Sequence, residues 1–434
     1  MTTVISITVL AVLVVTLGFG VWVGLALFSV GIIGLELFRG MPVEKLLAQL
    51  SYNVMTTPEL IALPLFVLMA EILFHSKLSA SLFTGLAPWT GRLPGKLLHV
   101  NVLGCTMFAA ISGSSAATTA TVGRITLTEL FERGYNRDLA MGSLAGAGTL
   151  GFLIPPSIIL IIYGVLTETS ILKLFLAGII PGLVLALAYM GYLGIRAVMN
   201  PDLVPAEAER VPLAQRLAGL RHLLPVVFLI LMVLGSMYGG IASPSEAAAV
   251  GVLGALIVSA AQGTLTTDNL VKAAIGAVRT MSMIGLIVGG AYFLSISMGF
   301  LGVPRAVAGG IAALNLDPLS LILLLLVFYA ILGCVLDGLS SIVMTLPITL
   351  PLIVAAGFDK IWFGVFLVIV VEMAQITPPV GFNLFVIQGM TGENLGRIAL
   401  ATFPFFLIMV ALALVITFVP DLVMFLPDNI EFRG

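Results

Sequence analysis

The sequence predicts an all-α polytopic membrane protein built as inverted repeats, each a re-entrant helical hairpin followed by a broken helix. Three observations carry that expectation. Of 434 residues, 60% are hydrophobic and only 9% are charged. The apolar runs are continuous rather than alternating. A pattern of hairpin, small-residue tip and Pro-Pro break occurs twice along the chain.

A soluble domain carries roughly 25% charged residues, and no soluble core absorbs this much apolar side chain without leaving some facing water. A bilayer removes the conflict, with about 20 apolar residues to each spanning helix. Continuous runs argue for helices and against an outer-membrane barrel. The net charge of −2 gives no sign of a nucleic-acid partner. Cys105 and Cys334 lie in apolar runs with no CxxC, and His75, His99 and His222 are scattered, so neither a metal centre nor a disulfide is indicated. The apolar start, residues 4–17, lacks a basic flank and a cleavage site and reads as a membrane segment rather than a removed signal.

Residues 4–38 are interrupted by Gly18 and Gly20 and read as two short helices, crossing once or twice. An amphipathic stretch, 43–57, precedes a span at 58–74 that carries Glu71 near its end. Residues 77–96 read as an interfacial arm. The first hairpin has arms at 97–111 and 122–130 around a tip of small residues, 112–121. Arg92, Lys96, Arg124, Arg133 and Arg137 flank its feet, which places that side in the cytoplasm. The span 139–166 is broken at 151–156, where proline removes a backbone bond and clashes with the preceding turn. Spans follow at 171–195, 223–241, 244–262 and 270–298, with a basic connection, 196–222, between the first two. The second hairpin, 319–336 and 342–356, turns at Asp337-Gly338-Leu339-Ser340-Ser341. The next span, from 361, breaks at 375–383, and a last one covers 398–419.

The halves superpose by eye when Gly104-Cys105 is matched to Gly333-Cys334, Ser112-Gly113 to Asp337-Gly338, and Pro155-Pro156 to Pro378-Pro379. Five crossings between the hairpins put the second on the opposite face. Its feet carry only Arg305 and Lys360, in keeping with that inversion. Inverted repeats whose broken helices meet near the midplane are the signature of a secondary-transporter site.

Intramembrane acids are few: Glu71, Asp337 and Glu372. The midplane instead offers hydroxyls, an amide and freed carbonyls, oxygen ligands that suit a hard cation such as Na+. One cation site is expected between Ser112, Gly113, Ser114, Gly151 and Pro155. A second is expected among Gly338, Ser340, Thr377, Pro378, Gly381 and Asn383. Against this stands the plainer role of small residues in close helix packing, and Asp337 reads equally well as a helix cap. Asn383 is less easily dismissed, because a buried amide needs partners. Ser115, Thr118, Thr119 and Asn383 are the candidates to line the substrate path.

The segments Ile111-Ser112-Gly113-Ser114-Ser115-Ala116, Gly151-Phe152-Leu153-Ile154-Pro155-Pro156-Ser157 and Gln375-Ile376-Thr377-Pro378-Pro379-Val380-Gly381-Phe382-Asn383 resemble the large membrane subunit of the tripartite ATP-independent periplasmic (TRAP) transporters. The resemblance follows length and segment order along the whole chain. It implies an elevator-type fold, with scaffold and arm helices at 1–96, 167–318 and 391–434 and a transport domain at 97–166 and 319–390. It also implies sodium-driven uptake of an organic anion, such as a C4-dicarboxylate or a sialic acid, across the bacterial inner membrane. Sodium sites are expected at hairpin tips and helix breaks. Two partners are implied: a small four-helix membrane subunit, expected as a separate chain, and a periplasmic substrate-binding protein. The alternatives are a binding-protein-independent sodium/carboxylate or arsenite-type carrier, a membrane enzyme and a channel. No clustered acid/base set supports an enzyme, and polarity is concentrated at two breaks rather than along a pore. The chain holds no GxxxxGK[ST] motif for ATP.

Overall fold

A computed structural model describes residues 2–40, 42–205, 212–303, 309, 317–334, 336–379 and 381–430. The described residues fold into helices and short connections. Residues 4–38 form two helices, α1 (Thr2–Gly18) and α2 (Val23–Arg39), separated at Gly20, which has a φ of 74. The amphipathic stretch is α3 (Val43–Met55), and the following span, bent from it by 57°, is a 3-10 turn, Pro58–Ile61, continuing into α4 (Ala62–Phe74). The arm is α5 (Leu78–Thr90).

The first hairpin pairs α6 (Leu98–Ser112) with α7 (Ser115–Glu132). Its tip is tighter than the small-residue run predicts. Gly113 takes the left-handed conformation that terminates a helix, and Ser114 immediately caps the next one, so residues 115–121 are already helical. The broken span is α8 (Arg137–Gly148), α9 (Leu150–Leu153) and α10 (Ile158–Thr167). The extended break lies at 154–157, and Gly151 belongs to the short helix before it.

Next come α11 (Ile171–Met199), α12 (Leu213–Gly219), α13 (Leu224–Tyr238), α14 (Pro244–Ala261) and α15 (Thr267–Leu301). Among the described residues, four helices long and apolar enough to span, from Arg137–Thr167 to Thr267–Leu301, separate the two hairpins, and the bent pair Leu213–His222 and Leu224–Tyr238, taken as one span, makes five. An odd number is what inversion requires. The second repeat comprises α16 (Pro318–Gly333), α17 (Gly338–Ala355), α18 (Lys360–Gln375) and α19 (Phe382–Thr391). The chain then closes with α20 (Leu395–Phe418) and α21 (Asp421–Asn429). Arg305 lies outside the described residues.

Helix caps fix the register of the repeat and correct the Gly-Cys alignment. Gly104 lies in the middle of α6, whereas Gly333 ends α16. The equivalent positions are the N-caps Ser114 and Asp337, the N-caps Asn136 and Asp359, the cis prolyl pairs at Pro155 and Pro378, and the in-helix prolines Pro181 and Pro404. Each pair is separated by 223 residues, so the two halves run from hairpin tip to break without a gap. α7 and α17 are both 18 residues long.

Packing sorts the helices into two groups. α2, α4, α13, α14 and α15 pack on one another. α6 to α11 pack with α18, α20 and α21. α11 and α20 therefore lie against the hairpin and broken helices. Their position has a local cause. A Cβ on Gly142 of α8 would run into the Ala401 carbonyl of α20, and Gly146 faces the Phe405 ring. Only glycine lets the two backbones approach this closely. Trp362 Nε1 of α18 adds a 2.9 Å bond to Ile416 O, and Asn101 Nδ2 of α6 a 2.9 Å bond to Ser143 Oγ of α8.

Gly142→Ala is therefore expected to destabilise the protein by ~1–3 kcal/mol through overpacking, read as a melting temperature several degrees lower in detergent. Gly191→Ala, where a new Cβ meets nothing within 4 Å, is the control and is expected to melt at or slightly above the parent.

Candidate functional site: the first hairpin tip and the two helix breaks

The tip of the first hairpin rests on the first break. Ile158 N–H donates to Gly113 O at 3.2 Å. A Cβ on Gly113 would lie 2.5 Å from Pro156 O, and one on Gly151 would lie 2.5 Å from Ser114 O. Ser112 Oγ sits 2.8 Å from Thr118 Oγ1 and ties the end of α6 to the first turn of α7. Ser112, Gly113, Ser114 and Gly151 thus meet, and Pro155 is joined to Pro156 by a cis peptide.

The second hairpin tip has a carboxylate as its cap. Asp337 accepts from Ser340 N–H at 3.1 Å and from Ser340 Oγ. Gly338 approaches Val371 and Gln375 of α18. At the second break Thr377 Oγ1 donates to Met373 O at 2.7 Å, and Gly381, with a φ of 43, sits against Thr377 O. Pro378 is cis to Pro379. Gly338 and Ser340 on one side and Thr377, Pro378 and Gly381 on the other flank the end of α18. Glu71 lies apart from all of them, against Gly276 of α15.

Asn383 groups with the first hairpin. Its Nδ2 donates to Ser115 Oγ at 2.9 Å. Ser115 Oγ is also 3.1 Å from Gly148 O and 2.9 Å from Glu372 Oε2. One hydroxyl therefore joins α7, the end of α8, α18 and α19, four helices drawn from both repeats. Thr119, one turn along α7, points its hydroxyl at Gly148, where a Cβ would collide with it. Nearby, Thr149 Oγ1 lies 3.3 Å from Tyr189 OH.

Ser115, Thr119, Glu372 and Asn383 are all fully or almost fully buried. Their oxygen atoms outnumber their protons. Ser115 has one proton for two acceptors. Glu372 Oε1, Asn383 Oδ1 and Thr119 Oγ1 have no partner at all. Among the described residues no ion pair reaches Glu372. A buried carboxylate and orphaned oxygens carry a large desolvation cost unless a cation or proton meets them. Sequence reasoning named Glu372 as an intramembrane acid but did not place it here. The signal that could have done so is its register, 223 residues after Thr149, which precedes the first break.

Two apolar hairpins capped by Ser114 and Asp337, two cis prolyl breaks and a shared polar centre form a whole-chain pattern, and residues 10–422 match the DctM component of the tripartite ATP-independent periplasmic transporters. The chain belongs to this family. It is 33% identical over 370 residues to the C4-dicarboxylate TRAP transporter large permease protein DctM of Pseudomonas aeruginosa, covering 85% of this chain and 86% of that one. It is 30% identical to the ectoine TRAP transporter large permease protein TeaC of Halomonas elongata over the full length of both. The YdaH transporter of Alcanivorax borkumensis shares the fold, with a TM-score of 0.58, 14% identity and 89% of each chain covered. This large permease is thus a multi-pass inner-membrane transport protein, and its family implies a small membrane subunit and a periplasmic binding protein as partners.

Ser115→Ala strands Asn383 Nδ2 and removes a donor from the Gly148–Glu372 pair. It is expected to cost ~1–3 kcal/mol, the penalty for unsatisfied buried polar groups, against no measurable change for the exposed Thr128→Ala. Thermal unfolding of the two variants in detergent checks this.

Proposed function

We propose that this large permease drives sodium-coupled uptake of an organic anion, a carboxylate such as a C4-dicarboxylate or a sialic acid, delivered by a periplasmic binding protein. The observation that supports the coupling is the excess of buried oxygen acceptors around Ser115. Oxygen donors from Ser115, Thr119, Glu372, Asn383 and Gly148 suit a hard monovalent cation. The tip carbonyls at Gly113 and Ser114, with Gly151 and the Pro155 break against them, form a further oxygen-rich locus. Gly338, Ser340, Thr377, Pro378 and Gly381 are its counterpart in the second repeat. A bound Na+ would supply the positive charge that offsets Glu372 and the freed carbonyls.

The substrate locus adjoins these sites. Thr118 and Thr119 on α7 and Asn383 on α19 present groups of both repeats to one region, so substrate and cation would be held by the same side chains. This sharing is what couples them: a ligand that orders Asn383 and the hairpin tip lowers the ordering cost for the other. Movement of the hairpin and broken helices as a body against α2, α4, α13, α14 and α15, an elevator, fits the two packing groups. Dependence on a binding protein separates this reading from the simpler sodium/carboxylate carriers, and the TRAP relatives favour it.

The test is uptake into sodium-free proteoliposomes holding the permease and its small partner. A labelled carboxylate and the binding protein are supplied outside. Uptake is expected to need both an inward sodium gradient and the binding protein, and to persist when a protonophore collapses the pH gradient. Uptake that follows the proton gradient would instead assign a proton to Glu372. Under the sodium reading, Glu372→Gln and Asn383→Ala each raise the half-saturating sodium concentration by about tenfold or more, which corresponds to ~1.4 kcal/mol.

A further inference from the structure

The outer half of α7 carries a charge that the sodium and tip sites do not use. Arg124 lies nine residues beyond Ser115, which on an α-helix is about 13 Å toward the hairpin foot. Its positions i±3 and i±4 are Ala120, Thr121, Leu127 and Thr128, none of them acidic. Among the described ion pairs none involves Arg124. Its guanidinium lies 4.9 Å from the centre of the Phe74 ring at the end of α4, on the other packing group.

Arg124 lines an open cavity of about 350 Å³ together with Gly123, Thr128, Arg137, Met390 and Thr391. The second arginine is already neutralised. Arg137 lies 3.4 Å from Glu393 and stacks on Phe131 at 4.4 Å. Among the described residues Arg124 is therefore a positive charge on that cavity with no ion-pair partner. A continuous face of α7 leads to it from the tip. Ser114, Ala117, Thr121, Arg124, Thr128 and Phe131 follow one another at alternating steps of three and four, which places them on one stripe. Ser114 and Ala117 are partly exposed, and Thr121 Oγ1, one turn inward of Arg124, is buried without a partner.

We propose that this cavity is a second carboxylate subsite, in which Arg124 holds the transported anion between the hairpin tip and the membrane face on the side of the hairpin foot. The inference rests on the organic-anion reading above. A guanidinium matches a carboxylate through paired N–H donors, and Thr128 and Thr391 line the same cavity. The packing on Phe74 makes the subsite sensitive to the position of α7 against α4, so its occupancy would differ between the two ends of the transport movement.

The experiment has two arms. In nanodiscs of phosphatidylcholine holding the permease and its small partner, phenylglyoxal labelling is read by peptide mass spectrometry. Succinate in the millimolar range is expected to protect Arg124 at least threefold more than the exposed Arg39, relative to choline chloride of equal ionic strength. Equal labelling with and without succinate overturns the proposal. So does protection by added phosphatidylglycerol alone, which would make it a lipid-headgroup site. In the second arm, uptake by Arg124→Gln is expected to show a KM for the carboxylate about tenfold higher than wild type, with half-saturating sodium unchanged, and Arg124→Lys is expected to recover part of the loss. Wild-type uptake with an unaltered Arg124→Gln overturns the subsite alone, whereas absence of wild-type carboxylate uptake removes the organic-anion reading beneath it.

Discussion

Within hydrocarbon, every backbone or side-chain polar group must find a partner inside the protein, and this constraint organises the rest of the structure. The two breaks release carbonyls at depth, and the hairpin tips are folded against them to cover the release. Ser115 is where the coverage converges. Its hydroxyl faces the freed Gly148 carbonyl of the first repeat, the Glu372 carboxylate before the second break and the Asn383 amide after it. Without that hydroxyl, α7, α8, α18 and α19 would meet through unsatisfied groups. Even with it, three oxygens remain without partners. That deficit of positive partners is what supports the proposal of a cation at this centre.

The repeat explains why one centre can serve two half-sites. Caps and prolines hold both halves in the same register, but the side chains at equivalent positions differ. Thr149, before the first break, corresponds to Glu372, before the second, and the cap Ser114 corresponds to Asp337. The first repeat therefore contributes hydroxyls and carbonyls where the second contributes a carboxylate. Symmetry supplies the geometry, and departure from it supplies the charge. The sharing of Asn383 between the repeats links the tip of one hairpin to the helix after the opposite break, a mechanical tie between elements far apart in sequence.

Much of this was legible in the sequence. Hydropathy and the Pro-Pro pairs located nearly every helix, since apolar runs and prolines act locally. The tip at Gly113 and Ser114 was placed within a longer run, because small residues mark both a turn and a tightly packed helix, and only the cap at Ser114 distinguishes them. The Gly-Cys match failed for the same reason: a packing glycine in mid-helix and one at a helix end look alike in sequence. The grouping of Asn383 with Ser115 was out of reach, since it depends on how α19 crosses α7 in three dimensions. Glu372 stood out as an acid in an apolar run, but its partners lie in the other repeat, and no spacing within α18 reveals them. The placement of α11 and α20 beside the hairpins was likewise hidden, because Gly142 and Gly146 announce a close neighbour without saying which one.

Sodium held by the oxygens around Ser115 is tested most directly by thermal unfolding of the purified permease in sodium chloride against potassium chloride at equal ionic strength. A ligand that binds only the folded state stabilises it by mass action. A melting temperature several degrees higher in sodium is expected, rising with sodium concentration, with loss of that difference in Asn383→Ala. Identical melting in the two salts for the wild-type protein, up to molar concentration, would contradict it.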